Sequence, residues 1–262
     1  MLTAEQVREL EPSLHSATLN GGALYAEEGW VDTLTMCTGL LNSARAHGAR
    51  FHPFHTVDRV GSDGVHVRSS DGIPHRFRAD TTILAAGNGN RAILAATGTE
   101  LPVIDPAAAA ATESRRSTVG MVSTTAPVQS GIRHIVRATG IAVRPARNGG
   151  VTFTDHPTGS QWDLDDPRVW TIPDLLLQRA RTLYPSLNNT FTETVQLGTR
   201  VMPEDGLTIA DWVGDNRSVY AVATHSGVTL SEFLAESVAA EVLDGHRHPA
   251  LEAFGLSRFS LS

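Results

Sequence analysis

Val219–Gly245, VYAVATHSGVTLSEFLAESVAAEVLDG, is the stretch from which the rest of the chain is read. Val219 to Ala223 is an apolar run of strand length. His225, Ser226 and Gly227 make a tight loop. From Thr229 onward Leu230, Phe233, Leu234, Val238 and Val242 recur at helical spacing. Asp244-Gly245 closes that helix, because glycine suits the left-handed position that ends one. A helix that starts at a glycine loop presents unpaired N–H groups and the positive end of its dipole. Such a start favours an electron-rich group, a phosphate, a carboxylate or the edge of a cofactor ring. The plain alternative is a helix start that faces solvent.

Working upstream, Thr190–Arg200 reads as a long strand, and Arg200 stands at its end before Val201-Met202-Pro203-Glu204-Asp205-Gly206. A guanidinium there could fix a substrate carboxylate by a two-point contact. The competing reading is an Arg200–Asp205 ion pair that pins the turn. His225 could polarise a bound ring or take a proton, or simply bond a nearby backbone group. Pro173 opens a helix with Leu176, Leu177, Ala180 and Tyr184 on one face, ended by Pro185. Before it, VGMVS, IRHIVRA, IAVRP and GVTFT read as the strands of a sheet, with Asn148-Gly149-Gly150 as a hairpin turn. Leu101–Ala111, with its alanine run, reads as a linker or crossing between subdomains.

The first hundred residues alternate between the two patterns. Thr3 and Gln6 have capping-box spacing, and Pro12 ends that short helix. Ala23–Tyr25 reads as a short strand. Asp32 caps a helix carrying Leu34, Cys37, Leu41 and Ala44, with Gly48 as its stop. Strands are expected at Phe51–Phe54, Val57–Val60, Val65–Arg68 and His75–Arg78, divided by Asp-Gly turns. Asp80–Gly87, DTTILAAG, is a buried strand that ends in small residues and leads through Asn88-Gly89-Asn90 into a helix. A bulky group can lie against such a strand end because no side chain blocks it.

Composition bounds the function. The 262 residues carry a net charge of −7, with no lysine and no basic cluster, which argues against nucleic acid. One cysteine, Cys37, excludes an internal disulfide and fits a reducing compartment, so a cytoplasmic location is expected. No apolar run approaches the ~20 residues of a membrane span, and no leader peptide is read at the start. His246 and His248 lack a cysteine or carboxylate at ligand spacing, so no metal site is read. No Gly-x-Ser-x-Gly elbow and no Walker motif appear, and Gly87-Asn88-Gly89 is only the start of a dinucleotide-binding pattern.

Several segments taken together resemble a known family. These are Gly29–Asp32, the Val57 to Val60 strand, Ala85–Gly87, Leu101–Val103, R-x-M-P-x-D-G at Arg200–Gly206, HSGVTL at His225–Leu230, and Arg258-Phe259. Their order is similar to that of the D-amino-acid oxidase, glycine oxidase and sarcosine oxidase family of FAD-dependent oxidoreductases. The resemblance implies a mixed α/β and α+β fold. An incomplete FAD-binding, Rossmann-like domain would comprise residues 1–98 and 200–262, and an antiparallel-sheet substrate domain residues 99–199. It implies non-covalent FAD, with Val57 at the adenine and with Ala86 and Gly87 beside the cofactor. Asp205 and Gly206 would stand at the same site, and His225, Ser226, Gly227, Val228, Thr229 and Leu230 against the flavin ring. Arg200 would hold a substrate carboxylate, and the reaction would be oxidation of a C–N bond by hydride transfer from an amino acid or amine.

The departures from the family pattern carry their own implications. The chain shows no GxGxxG strand–helix unit, which in the family supplies the pyrophosphate site. A separate chain supplying that unit, a truncated form, or a flavin-free or partner-dependent subunit acting as a binding or assembly module would each account for this, and a homo-oligomer could cover the exposed sheet. Ile141 stands where some members have an aromatic residue. No cysteine lies near Arg200, so the covalent flavin link of some sarcosine oxidases is not available.

Overall fold

The computed structural model describes residues 1–106, 118–155, 158, 162 and 166–259. In chain order its elements are β1 (Leu2–Thr3), α1 (Ala4–Leu10), β2 (Gly21–Gly22), α2 (Thr33–Ala46), β3 (His55–Gly61), β4 (Gly64–Ser69), β5 (Pro74–Phe77), β6 (Thr82–Leu84) and α3 (Gly89–Ala95). They continue with β7 (Val119–Thr125), β8 (Val136–Ala138), β9 (Ile141–Pro145), β10 (Val151–Thr154), α4 (Ile172–Leu183), β11 (Thr192–Thr199), β12 (Ile209–Trp212), β13 (Val219–Ala223) and α5 (Ser231–Asp244). The chain divides into two compact units, one of Met1–Thr38 with Ala110–Thr199, the other of Gly39–Ala109 with Arg200–Ser262.

The first unit is built on a five-stranded antiparallel sheet in the order β11-β7-β10-β9-β8. Alternation along the strands sends Ile141 and Val143 of β9 and Val151 and Phe153 of β10 into one core, where they meet Leu176, Leu177 and Ala180 of α4. These are the helix residues that the 3.6-residue spacing places on one face. The Asn148-Gly149-Gly150 turn is realised, with Gly149 at φ 81° and the Asn148 side-chain oxygen accepting from Gly150 N at 2.9 Å. Thr3 and Gln6 form the reciprocal capping box at the start of α1.

Residues 1–38 thus go with 110–199, whereas the sequence reading kept 1–98 together. The physical tie is Glu11. Its carboxylate is buried, and it accepts from Arg133 N at 3.0 Å, His134 N at 2.7 Å, His134 Nδ1 at 2.6 Å and Tyr184 Oη at 3.3 Å. Burial, reinforced by the neighbouring Glu11 charge, pushes the Tyr184 phenol above its ordinary value. Two shorter readings also shift. The expected strand at Ala23–Tyr25 is replaced by Gly21–Gly22, which pairs with Leu2–Thr3, and Phe51–Phe54 precedes β3 without joining it.

In the second unit β13 is the middle strand of a three-stranded sheet, antiparallel to β12 and parallel to β6. Its apolar run is continuous because both faces are buried. Val219, Ala221 and Ala223 join a core with Leu84, Leu94 and Ile209, while Tyr220 packs on the opposite side with Leu234 and Val238 of α5. Glu241 of α5 receives Tyr220 Oη at 2.8 Å, Trp212 Nε1 at 3.2 Å and Arg247 at both oxygens at 2.8 Å. Gly245 ends α5 at φ 69°. A second, antiparallel sheet has the order β3-β4-β5. Of the expected crossing at Leu101–Ala111, Val103 bridges Pro203, and 107–111 lie outside the described residues. Among the described residues no helix is long and apolar enough to cross a membrane.

Candidate functional site

The site lies in the second unit, where two parallel strands end side by side. The register Val219↔Thr82, Tyr220↔Ile83, Ala221↔Leu84 brings the ends of β6 and β13 together, and each continues through small residues into a helix. Ligands of open parallel sheets bind outside such carboxyl ends. Asn90 locks the pair. Its side chain is fully buried, accepts from Ala86 N at 2.8 Å, and donates to Val222 O at 2.8 Å and Leu84 O at 3.4 Å. Sequence reasoning took Asn90 only as part of a turn. Asparagine alone carries both an acceptor and two donors of the size needed to join two strand ends, and that was the available signal.

Gly87 makes the bend from β6 to α3 at φ 62°, and a Cβ there would stand 3.3 Å from Val201 Cγ2. Gly87, Ala85, Gly227, Val222 and Val201 line a mostly apolar cavity of about 500 Å³, floored by Leu234 of α5. That volume lies within the range of small-molecule and cofactor sites, roughly 300–1,000 Å³. At Gly87 and Gly227, where no side chain intervenes, a flat ring could approach the backbone. Among the described residues no hydrogen bond within the chain engages the N–H groups of Gly227, Val228 and Thr229. Leu230 is the cap residue, its N–H bonded to Ser226 O at 2.9 Å, so the helix proper starts at Ser231, two residues later than the spacing suggested.

The Arg200–Gly206 segment folds beside this cavity. Ile104 N donates to Met202 O at 2.8 Å and Glu204 N to Pro102 O at 3.1 Å, while Gly206 turns at φ 80°. Asp205 accepts from Arg258 Nε at 2.7 Å, so the partner of Asp205 is Arg258 and not Arg200. The Arg258 hydrogen bond holds the Asp205 carboxyl below the usual carboxylate range, with partial burial opposing. Arg200 is half-buried, and its neighbour Val201 faces the cavity.

His225 joins the two loops. Its Nε2 lies 3.3 Å from Gly206 O and its Nδ1 3.0 Å from Ser226 Oγ, so the Nε2–H tautomer donates to the carbonyl and accepts from the serine. That is the backbone-bonding alternative. Of the expected site residues, Gly87 and Gly227 line the cavity, and the His225 bond ties the Gly206 turn to the Gly227 loop; Ala86, Asp205, Gly206, His225, Ser226, Val228, Thr229 and Leu230 are not among its lining residues, nor is Val57, which sits on β3 against the core of the same unit. Cys37 is exposed on α2.

Comparison with known proteins follows the same outline. The family described as DAO, FAD dependent oxidoreductase, matches residues 1–241. One of the opine oxidase subunits of Agrobacterium tumefaciens (strain Ach5) is 25% identical over 243 residues, which cover 91% of this chain and 59% of that protein. The structure of glycine oxidase from Geobacillus kaustophilus superposes with a TM-score of 0.76 at 22% identity, covering 98% of this chain and 66% of that one. L-Proline dehydrogenase from P. horikoshii gives 0.77 at 17% identity, covering 99% and 68%. The chain thus spans about three fifths of the curated relative and two thirds of the glycine oxidase.

Proposed function

From a chain that belongs to the DAO family of FAD-dependent oxidoreductases, we propose a protein that binds FAD without a covalent link and takes part in oxidising a C–N bond of an amino-acid or amine substrate. The observation that carries this is the pair of parallel strand ends, held by Asn90, with an apolar cavity rimmed by Gly87 and Gly227. The cavity fits the ring portion of a flavin in size and in its mostly apolar lining, with glycines at Gly87 and Gly227. Bound FAD supplies the two-electron acceptor for a hydride leaving the carbon next to the amine.

The chain's own residues would do the rest. The N–H groups of Gly227–Thr229, at the positive end of α5, favour negative charge at the ring edge. His225 acts as a positioning residue that ties the Gly206 turn to this loop. Arg200 would orient a substrate carboxylate by two parallel hydrogen bonds. Val57 would lie toward the adenine end. The names of the relatives, glycine oxidase, L-proline dehydrogenase and opine oxidase, support an amino-acid-type substrate.

A second reading, a partner-dependent subunit of the same fold, is favoured by one feature. β6 is an edge strand of its sheet, and Ile83 on it is 47% exposed. Such an edge invites another strand. The opine oxidase relative is itself named as one subunit of an enzyme, which supports an assembly, with a separate chain or a second copy as occupant.

A visible absorption spectrum after addition of FAD and desalting, followed by anaerobic addition of amino acids and secondary amines, tests the proposal. Flavin bands that persist and bleach with substrate support it. A colourless protein that turns yellow only with a co-purified partner supports the second reading. A colourless protein under both conditions overturns flavin binding.

A further inference from the structure

We propose that the sheet face of the first unit centred on Arg144 recognises the carboxylate of a small organic acid. Arg144 lies on β9, whose alternation puts Ile141 and Val143 into the core and Ala142 and Arg144 on the opposite face. The register Thr152↔Arg144 and Thr152↔Thr124 sets two threonines beside it on that face, and Arg137↔Ala142 adds a second arginine. The Arg144 guanidinium carbon stands 4.4 Å from the centre of the Trp30 ring. Stacking of this kind fixes the plane of the fork and leaves its N–H edge free to meet a carboxylate.

The charge has no carboxylate partner among the described residues. Its one hydrogen bond there runs from Nη1 to the adjacent Pro145 carbonyl, at 3.1 Å. Asp32 is close enough for its charge to be felt, but its carboxylate is held by Thr35 N at 2.8 Å and by Arg147 Nη1 at 3.4 Å. Arg144 is half-buried, and burial pulls its guanidinium down from the ordinary arginine value. A half-desolvated cation with most of its donors unmatched is a poor way to cover a tryptophan, and a good way to receive an anion. Thr152, paired with Arg144 across the sheet, is buried with its hydroxyl 3.3 Å from that of Thr124, so the cross-strand neighbours of the arginine add no negative charge.

Binding at this face is independent of flavin; its bearing on catalysis rests on the proposed oxidation of an amino-acid-type substrate. The test is calorimetric titration of the full chain with succinate, and with acetamide as an uncharged probe. Arg144→Gln should weaken succinate binding about 10- to 100-fold, the loss of a charge-assisted hydrogen bond. Arg144→Lys keeps the charge without the planar fork and should fall between. Arg8→Gln, an exposed arginine on α1, should leave binding unchanged.

Equal succinate affinity in wild type and Arg144→Gln, at matched thermal midpoints, overturns the assignment, as does acetamide binding as tight as succinate or no saturable binding by the wild type. Flavin absorbance is read on the same samples. Retained flavin with unaltered succinate affinity in Arg144→Gln removes the Arg144 assignment and leaves the flavoprotein reading. Arg144-dependent binding without flavin does the reverse.

Discussion

Replacing Asn90 with alanine removes a side chain that spans the ends of β6 and β13. Two of its bonds, to Ala86 N and Val222 O, are 2.8 Å long, and the third, to Leu84 O at 3.4 Å, counts for little. A neutral hydrogen bond contributes about 1 kcal/mol net, and a polar group left buried without a partner costs about 1–3 kcal/mol. The surroundings of Ala86 N and Val222 O are only partly buried, which puts the expected loss at about 2–4 kcal/mol. That is a large share of a typical stability of about 5–15 kcal/mol. Urea denaturation followed by circular dichroism measures it. Asn90→Asp is more severe, because an ionised carboxylate keeps the bond from Ala86 N but sets a negative oxygen against the Val222 carbonyl. The two strand ends separate, so flavin retention falls with stability. A midpoint for Asn90→Ala that reports less than about 0.5 kcal/mol of loss, within the range of ordinary surface substitutions, refutes the reasoning.

Glu241→Gln leaves the Arg247 guanidinium with Asp211 at 3.5 Å as its remaining carboxylate among the described residues and should cost about 1.5–3 kcal/mol, read as a fall in thermal midpoint. Ser123 has its hydroxyl buried on the core side of β7 with no hydrogen-bond partner among the described residues, so Ser123→Ala should be neutral or stabilising by up to about 1 kcal/mol in urea denaturation. The folded-state pKa of Asp205 lies below its ordinary 3.8, so the stabilisation from Arg258 is complete above that value and is lost as pH falls through the depressed one. Urea midpoints should therefore drop for the wild type below about pH 4, and less steeply for Asp205→Asn.

Local patterns carried far in this chain, and long-range pairings did not. The Leu176, Leu177, Ala180 stripe, the Gly245 stop, the Asn148-Gly149-Gly150 hairpin and the strand–loop–helix at Val219–Gly245 were legible because each is fixed by neighbours within a few residues. The grouping of residues 1–38 with 110–199 was not, since it depends on a buried Glu11 meeting Arg133, His134 and Tyr184, over a hundred residues away. Asp205 shows the same difficulty: Arg200 is five positions from it, yet it pairs with Arg258, fifty-three positions on. On α2 the apolar spacing was read correctly as a helix, but Leu34 is 73% exposed, because periodicity states which side chains share a face and not whether anything covers it. For the site, HSGVTL and AAG were visible as small-residue loops. Asn90, which holds them in register, was hidden inside a sequence that looks like any glycine–asparagine turn.

The location of the flavin is tested most directly at Gly227. Its backbone is not left-handed, and the nearest atom to an added Cβ is Thr224 Cγ2 at 4.0 Å, so Gly227→Val should fold normally while placing two methyl groups at the rim of the cavity. Flavin absorbance of wild type and Gly227→Val is compared after FAD addition and desalting, with thermal midpoints recorded on the same samples. The expected result is flavin retained by the wild type and lost from Gly227→Val at an unchanged midpoint. A variant that keeps as much flavin as the wild type, or a wild type that stays colourless alone and with its co-purified partner, would contradict a flavin seated at the ends of β6 and β13.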